Sequence, residues 1–246
     1  MTDIQQCRAL VNLGPWLDRC ERAGVPYVPA VWSEAFPVAE LYRALSVIGL
    51  MDSLLVEHAP GVIGAFEWLA GQREEAVYDR RQMMARWECC SPCDTKYRME
   101  QGGGWGASMM YLTLDDPRLF DCLASDTLRI CVRPWVEAMR VEGYPVEFRV
   151  FYGPHGWQGT SSYYPQRPLQ RDVVNEMLMD QCRNYADRFY EGEHFPVGFT
   201  ADFLVMPDFQ VLFLEGGPPH VLGPVSAHPC CFPPGKVRGL ALKTVV

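Results

Sequence analysis

Basic residues are scarce in this sequence relative to acidic ones. The 22 lysines and arginines stand against 30 aspartates and glutamates, which gives a formal net charge of −8. Non-specific binding to nucleic acids and to anionic membrane surfaces needs a positive field around the protein. The acidic balance therefore argues against both functions, although a local basic pocket remains compatible with it.

Long apolar runs are also absent, since no window reaches the about 18 consecutive apolar residues of a membrane-spanning helix. The first ten residues, MTDIQQCRAL, lack the basic and apolar regions of a secretory signal peptide. We therefore expect a cytoplasmic protein without membrane partners. With 246 residues, of which 48% are hydrophobic, the chain is long enough for one large domain or two closely packed lobes.

Two common nucleotide-binding signatures are missing as well. The glycine run at residues 102–104, followed by Trp105 and Gly106, has neither the GxxxxGK[ST] lysine nor the GxGxxG spacing. A glycine flap can bring backbone N–H groups to a phosphate. A plain hairpin loop is the simpler interpretation of this run.

Ten cysteines are present, but the tandem CxxC signature of a zinc site is not. Buried thiols are the expected state in a chain of this length without an export signal. A structural zinc site is the alternative, because two clusters could each supply ligands. These clusters are CCxxC at Cys89, Cys90 and Cys93, and HPCC at His228, Cys230 and Cys231.

The stretch Phe199–Pro219, FTADFLVMPDFQVLFLEGGPP, is typical of two apolar strands joined by a Pro-Asp turn. It carries one acid near the start of the first strand, Asp202, and one at the end of the second, Glu215. Both faces of this hairpin are apolar, and a buried ionised carboxylate costs several kcal/mol unless it is paired or coordinated. Oxygen ligands suit magnesium. Strand-end acids that pair with arginines near water are the alternative.

The register of this hairpin decides whether the two acids meet. If Met206 faces Phe209 across the turn, Asp202 lies opposite Phe213. The period of two then places Glu215 on the same face, one diagonal step from Asp202. A loop with one more residue would place the acids on opposite faces.

Upstream of the hairpin, the pattern predicts further sheet and one covering helix. The strand expected at Val146–Phe151 places Glu147 and Arg149 on one face, either as an internal ion pair or as part of a polar site. Near the N-terminus, Gln5–Ala23 predicts two short helices that break at Gly14-Pro15. The strands are expected at Leu128–Val132, Val146–Phe151 and Gly159–Tyr164, and the helix at Asp172–Phe189.

The order of these segments resembles the ATP-grasp fold, and in particular small phage-type ATP-grasp-like proteins. The segments are RPWV, EFRVF and YYPQRPL, then the covering helix and a hairpin with an early Asp and a terminal Glu, within residues 83–219. The resemblance implies an α/β (α+β) fold whose two lobes, with mixed and antiparallel sheets, sandwich a nucleotide. We expect an N-terminal α/β lobe at residues 1–82 and an ATP-grasp-like nucleotide-binding region with a Gly/Pro-rich C-terminal loop at residues 83–246.

The resemblance also implies ATP and Mg²⁺ as cofactors, with the metal held by Asp202 and Glu215. The cofactor-binding residues would be Arg86, Lys96, Arg133, Trp135, Val136, Glu147 and Arg149. The catalytic residues would be Lys96, Arg149 and Arg167. Proteins of this kind are ligases that activate a carboxylate as an acyl phosphate, which an amine or similar nucleophile attacks. A small-molecule or peptide carboxylate and an amine acceptor are therefore the expected substrates.

Two departures from the family pattern favour an alternative. The family usually ends its metal motif with Glu-x-Asn, whereas this chain reads Glu215-Gly216-Gly217, so one oxygen ligand is missing. The usual strand lysine of the first lobe is not evident either. The alternative is a non-catalytic or degenerate nucleotide-binding phage protein that acts on a host factor. His220 and His228, in the loop after the hairpin, are either ligand contacts or surface histidines.

Overall fold

A computed structural model of the chain describes residues 3–47, 57–80, 82–90, 112, 114, 117–123, 125–163 and 173–219. Several residues predicted from the sequence lie outside these ranges. They are Lys96, Arg167, Cys93, Cys230, Cys231, His220, His228 and the glycine run at residues 102–104.

Helices and strands alternate irregularly along the described residues. The helices are α1 (Asp3–Ala9), α2 (Leu13–Ala23), α3 (Val38–Val47), α4 (Pro60–Tyr78), α5 (Pro117–Cys122) and α6 (Val173–Gly192). The first strands are β1 (Val31–Trp32), β2 (Phe36–Pro37), β3 (Met83–Trp87), β4 (Thr127–Leu128), β5 (Ile130–Pro134), β6 (Arg140–Val141) and β7 (Tyr144–Pro145). The longest strands are β8 (Glu147–Gly153), β9 (Gly156–Ser162), β10 (Phe199–Val205) and β11 (Val211–Gly217).

The chain divides into two compact units. One consists of residues 1–28 together with residues 137–246, and the other of residues 29–136. The division expected at residue 83 falls at the first residue of β3, inside the second unit. The two N-terminal helices belong to the first unit because α2 packs on α6 and β11.

The first unit contains a four-stranded antiparallel sheet in the order β11-β10-β8-β9. Helix α2 contributes a buried stripe at the i, i+3, i+4, i+7 spacing of an amphipathic helix: Leu13, Trp16, Leu17 and Cys20. The Trp16 ring lies 5.4 to 5.9 Å, centroid to centroid, from the rings of Phe189, Phe195, Phe199 and Phe213. Helices α2 and α6 thus cover one face of the sheet with an aromatic core.

The N-terminal sequence forms two helices, as predicted, but the break comes earlier than Gly14-Pro15. Helix α2 begins at Leu13, so Pro15 lies in its first turn. Proline is tolerated there because the N–H groups of the first turn have no partner within the helix. Gly24 ends α2 in the left-handed conformation, with φ of 62°.

The second unit contains the three-stranded antiparallel sheet β1-β5-β3. Its interior includes Trp87, which is fully buried and meets Phe66 of α4 edge-on at 6.0 Å. The predicted α/β class with antiparallel sheets is therefore confirmed. Within the described residues, no helix has the length and apolarity needed to cross a membrane.

The β10–β11 hairpin departs from the predicted register at its loop. The Met206 N–H donates to the Gln210 carbonyl at 2.8 Å, so three residues rather than two form the loop. Phe209 closes it with a left-handed φ of 65°. The prediction that Met206 faces Phe209 is wrong, and so is the pairing of Asp202 with Phe213.

A β-bulge then offsets the longer loop. Phe203 pairs with Phe213, but the next residue on β10, Asp202, pairs with Glu215, so Leu214 is an additional residue on β11. The loop and the bulge each shift the register by one residue. Asp202 and Glu215 therefore share a face after all, as direct cross-strand partners instead of diagonal neighbours.

Candidate functional site

A polar row crosses all four strands of the sheet in the first unit. Glu215 on β11 pairs with Asp202 on β10, Asp202 with Arg149 on β8, and Arg149 with Ser161 on β9. Direct cross-strand partners in an antiparallel sheet point to the same face. The row consequently lies on the face opposite the aromatic core, and we call it the polar row.

The centre of the polar row is a buried ion pair. Arg149 donates from Nε to Oδ1 of Asp202 at 2.6 Å and from Nη2 to Oδ2 at 2.5 Å. The two side chains are only 8% and 3% exposed, and the Arg149 guanidinium lies 4.8 Å from the ring centroid of Tyr163. This bidentate geometry fixes the plane of the guanidinium on the sheet.

Glu147 lies on the same face, two residues before Arg149 on β8, and is buried. Together with the polar row it gives this face three carboxylates and one guanidinium among the described residues. An acidic face of this kind attracts cations.

Magnesium fits the donor set that this face offers. In the described part of the chain, no group of three or more His, Cys, Asp or Glu residues could hold a metal ion. Magnesium in nucleotide sites needs only one or two carboxylates, with water and phosphate oxygens completing its octahedron. Asp202 and Glu215, as direct cross-strand partners, match that requirement.

The absence of the third oxygen ligand is reflected in the packing around residue 217. Gly217 takes the place of Asn in the Glu-x-Asn pattern and pairs with Thr200. A Cβ at Gly217 would lie 3.1 Å from Oγ1 of Thr200, a hydroxyl that donates to the Pro218 carbonyl at 3.1 Å. The space beside Gly217 is thus occupied by Thr200, and residue 217 supplies no side-chain oxygen.

In the second unit, two of the predicted cofactor-binding arginines share a face. Arg133 pairs with Met84, and Arg86 pairs with Cys131, so Arg86 and Arg133 are diagonal neighbours on the three-stranded sheet. Both are buried. Burial raises the pKa of Cys131 to about 11, although the positive charges of Arg86 and Arg133 oppose the shift. Cofactor binding by Arg86 and Arg133 stays a prediction.

Trp135 and Val136, expected to read adenine through their backbone, directly follow β5. The backbone N–H of Trp135 donates to the Gln82 carbonyl at 2.7 Å, and the indole ring of Trp135 packs against Met84. The nucleotide contacts of this segment stay a prediction, as do the roles of Lys96 and Arg167.

Ser161 completes the polar row and was missed from the sequence. It is fully buried, and its pairing with Arg149 places it among the charged residues. The alternation of the predicted strand at Gly159–Tyr164 could have shown that Ser161 and Tyr163 share a face. Nothing in the sequence indicated that this face is the one that carries Arg149.

No disulfide joins the cysteines that the structure describes, which are Cys7, Cys20, Cys89, Cys90, Cys122, Cys131 and Cys182. A hydrogen bond with Cys90, together with burial, holds the pKa of Cys89 far above its ordinary value. Burial likewise raises the pKa of Cys182. The thiols of Cys89 and Cys182 are therefore protonated at neutral pH. Zinc binding by the predicted clusters stays a prediction.

No protein-family model matches the sequence, and no curated protein matches it either. Solved structures do resemble it. C-terminally truncated Cdc123 from Schizosaccharomyces pombe is 12% identical and superposes with a TM-score of 0.53, over 89% of this chain and 86% of that one. The overlay with Cdc123 shows a shared fold, and the predicted mixed α/β class with antiparallel sheets is confirmed.

Two enzymes superpose less closely. The D-alanine-D-alanine ligase from Coxiella burnetii is 12% identical with a TM-score of 0.43, over 85% of this chain and 47% of that one. Carboxyaminoimidazole ribonucleotide synthase from Aspergillus clavatus, solved with ATP, is 11% identical with a TM-score of 0.40, over 85% of this chain and 45% of that one. This chain matches less than half of each of these enzymes.

Proposed function

We propose that the polar row binds ATP with magnesium and that the chain is a ligase of ATP-grasp type. The observation that carries this proposal is the buried Arg149–Asp202 ion pair with Glu215 as the next cross-strand partner. The carboxylate of Asp202 is buried and that of Glu215 is half-buried. Two adjacent carboxylates and a fixed guanidinium on an ATP-grasp-like fold are suited to a metal ion and the phosphates that it accompanies.

Each charged residue of the polar row would have a separate role in binding ATP with magnesium. Asp202 and Glu215 would hold magnesium, which offsets negative charge on the phosphates. Arg149 would add a positive charge beside the phosphates, and its bidentate hydrogen bond to Asp202 fixes the position of that charge. Because Asp202 and Tyr163 fix its plane, this cation needs little reorganisation when charge moves during the reaction.

The roles of the remaining candidate residues stay predictions. They are the phosphate contacts of Arg86 and Arg133, the adenine contacts of Trp135 and Val136, and the catalytic roles of Lys96 and Arg167.

In the proposed reaction, a carboxylate oxygen of a small molecule or peptide attacks the γ-phosphorus of ATP, and ADP leaves. An amine then attacks the acyl carbon, the C–O bond to phosphate breaks, and an amide, phosphate and a proton result. Burial of the polar row would limit hydrolysis of the acyl phosphate by water.

Thermal unfolding with ligands tests the binding step. ATP with magnesium, at about one hundred times its dissociation constant, should stabilise the protein by about 2.7 kcal/mol. Magnesium alone should change the midpoint little, because two carboxylates bind it weakly without phosphate oxygens. The absence of any shift at millimolar ATP with magnesium would refute the nucleotide site.

A second function, nucleotide binding without catalysis, is favoured by one observation. Gly217 provides no third oxygen ligand, and Thr200 occupies the space beside it. In this case the chain would bind ATP with magnesium and act on a partner protein, the host factor of the sequence-based alternative. Release of ADP in a screen of carboxylates and amines would establish the ligase, whereas binding without ADP release throughout such a screen would favour the binding protein.

A further inference from the structure

The hydroxyl of Ser161 is buried without a hydrogen bond. The residue is fully buried, and within the described parts of the chain its Oγ has no hydrogen-bond partner. The adjacent hydroxyl of Thr160, by contrast, accepts a hydrogen bond from Nε1 of Trp157 at 3.2 Å. A buried hydroxyl without a partner loses its hydrogen bonds to water on folding and gains none within the protein. Such hydroxyls are uncommon in native proteins. The exception points to a group that binds there.

The position of Ser161 limits what that group can be. Ser161 is the direct partner of Arg149, at the end of the polar row away from Glu215. Neighbouring strands are about 4.8 Å apart, so Ser161 lies roughly 10 Å from Asp202 and roughly 14 Å from Glu215 along the sheet. A magnesium ion bound by those carboxylates at about 2.1 Å cannot also bind Ser161.

The neighbouring guanidinium identifies the chemistry instead. A hydroxyl that can donate, placed beside a fixed cation, is suited to an oxygen that carries negative charge. The only other direct partner of Arg149 in the sheet is Asp202, which already accepts its fork. On the other side of Arg149 along the polar row, Ser161 supplies the hydroxyl.

We propose that Ser161 donates a hydrogen bond to a phosphoryl oxygen of the bound nucleotide, next to Arg149. The inference rests on the proposed function, since it extends the nucleotide site from the carboxylates to the far strand of the sheet. The phosphates would then lie along the polar row, with the metal at the Asp202–Glu215 end and a metal-free oxygen at the Ser161 end. Ser161 is a binding residue in this arrangement.

Two alanine variants test the inference. Ser161→Ala removes the hydroxyl from the polar row, and Ser162→Ala makes the same change one residue along β9, on the opposite face, where Ser162 pairs with Phe148. The parent and both variants are measured by calorimetry with ATP and magnesium chloride and with sodium tripolyphosphate, and by thermal unfolding without ligand.

We expect Ser161→Ala to bind both probes about tenfold more weakly, since a hydrogen bond to a charged acceptor is lost. Its unfolding midpoint without ligand should stay the same or rise by about 3 °C, because an unsatisfied buried hydroxyl is removed. Ser162→Ala should bind both probes as the parent does. Loss of affinity together with retained stability separates a binding role from a structural one.

The outcomes distinguish this inference from the proposed function. If the parent binds ATP and Ser161→Ala binds it equally well, the inference is wrong and the nucleotide site stands. If the parent binds tripolyphosphate but not ATP, and Ser161→Ala loses that binding, the phosphate contact stands and the nucleotide proposal fails. If the parent binds neither probe, both are overturned.

Discussion

The indole ring of Trp16 occupies the space in which a Cβ atom at Gly216 would lie. Gly216 follows Glu215 on β11, and successive residues of a strand point to opposite faces of the sheet, so Glu215 points away from Trp16. The aromatic core of the first unit therefore holds the backbone of β11 in place at the residue next to a proposed metal ligand. This contact, rather than a need for flexibility, accounts for glycine at residue 216.

Gly216→Ala should destabilise the protein by about 2–3 kcal/mol, because the added methyl group overpacks a fully buried tryptophan. Gly217→Ala is the matched control, since its Cβ would lie 3.1 Å from a single hydroxyl oxygen, Oγ1 of Thr200. Its cost should stay below about 1 kcal/mol. Urea unfolding measures both, and equal stability of Gly216→Ala and the parent would contradict the close contact with Trp16.

Removal of either partner of the Arg149–Asp202 pair should cost about 3–5 kcal/mol, because a charge is left buried opposite its lost partner. The variants are Arg149→Leu and Asp202→Leu. The double variant should be less destabilised than the sum of the two by at least about 2 kcal/mol. A double-mutant cycle from urea unfolding measures the coupling, and additive effects would show that the two side chains do not interact in solution.

Glu215→Gln should keep the shape of the side chain and remove one charge from the proposed metal site. If the site is catalytic, turnover of ATP should fall by at least about two orders of magnitude, since the metal acts where charge moves in the transition state. Asp208→Asn, in the exposed loop of the same hairpin, makes the same kind of change away from the site and should leave turnover unchanged.

One result for Glu215→Gln would oppose both proposed functions. A variant that is markedly more stable than the parent and binds ATP equally well would identify Glu215 as a charge that only costs stability. The hairpin would then not be the nucleotide site.

The ion pair of Glu193 with Arg19 should make stability depend on pH. A bidentate hydrogen bond from Arg19, at 2.7 Å on both oxygens, lowers the pKa of Glu193 in the folded protein. Its contribution is therefore present above the unfolded pKa of about 4.3 and is lost as pH falls through the lower folded value.

We expect Glu193→Gln to cost about 0.5–1 kcal/mol at pH 7, because the pair is partly exposed and screened by solvent. The difference from the parent should shrink as pH falls through the lowered pKa of Glu193, because the parent carboxyl is then protonated. Urea unfolding at pH 7, 5 and 3 follows this change, with Glu191→Gln on the exposed end of α6 as control. A difference that persists unchanged at pH 3 would rule out the charge as its source.

The described cysteines should differ in reactivity. Cys131 and Cys182 are fully buried with raised pKa values, whereas Cys122 is half-buried. The thiolate is the reactive form, so iodoacetamide at pH 7.5 should modify Cys122 well before the other two. Mass spectrometry of time points gives the order, and samples unfolded in urea should show no preference. Early modification of Cys131 in the folded protein would contradict its burial.

The hairpin shows what the sequence could and could not predict. Nearly continuous apolar runs located both strands and the acids within them, because a strand buried on two faces is apolar at successive residues. The loop of three residues and the bulge at Leu214 left no signal in that pattern, since each depends on backbone hydrogen bonds at one position. The shared face of the acids was predicted, but from a register that the structure does not have.

Arg149 illustrates a second limit. Its strand showed that it shares a face with Glu147, which left an ion pair and a polar site equally open. The cross-strand pairing with Asp202 brings together residues that are far apart in sequence, and alternation within one strand carries no information about such neighbours. Ser161 was missed for the same reason.

The discontinuous first unit has a consequence for the order in which the protein folds during synthesis. Its residues 1–28 are made first, yet the strand that packs on Trp16, β11, is made after the entire second unit. The second unit is contiguous and can form while the rest of the chain is still on the ribosome, since domains generally fold as units. The apolar stripe of helix α2 therefore stays exposed until β11 has been synthesised. The polar row is assembled last, when β10 and β11 join β8.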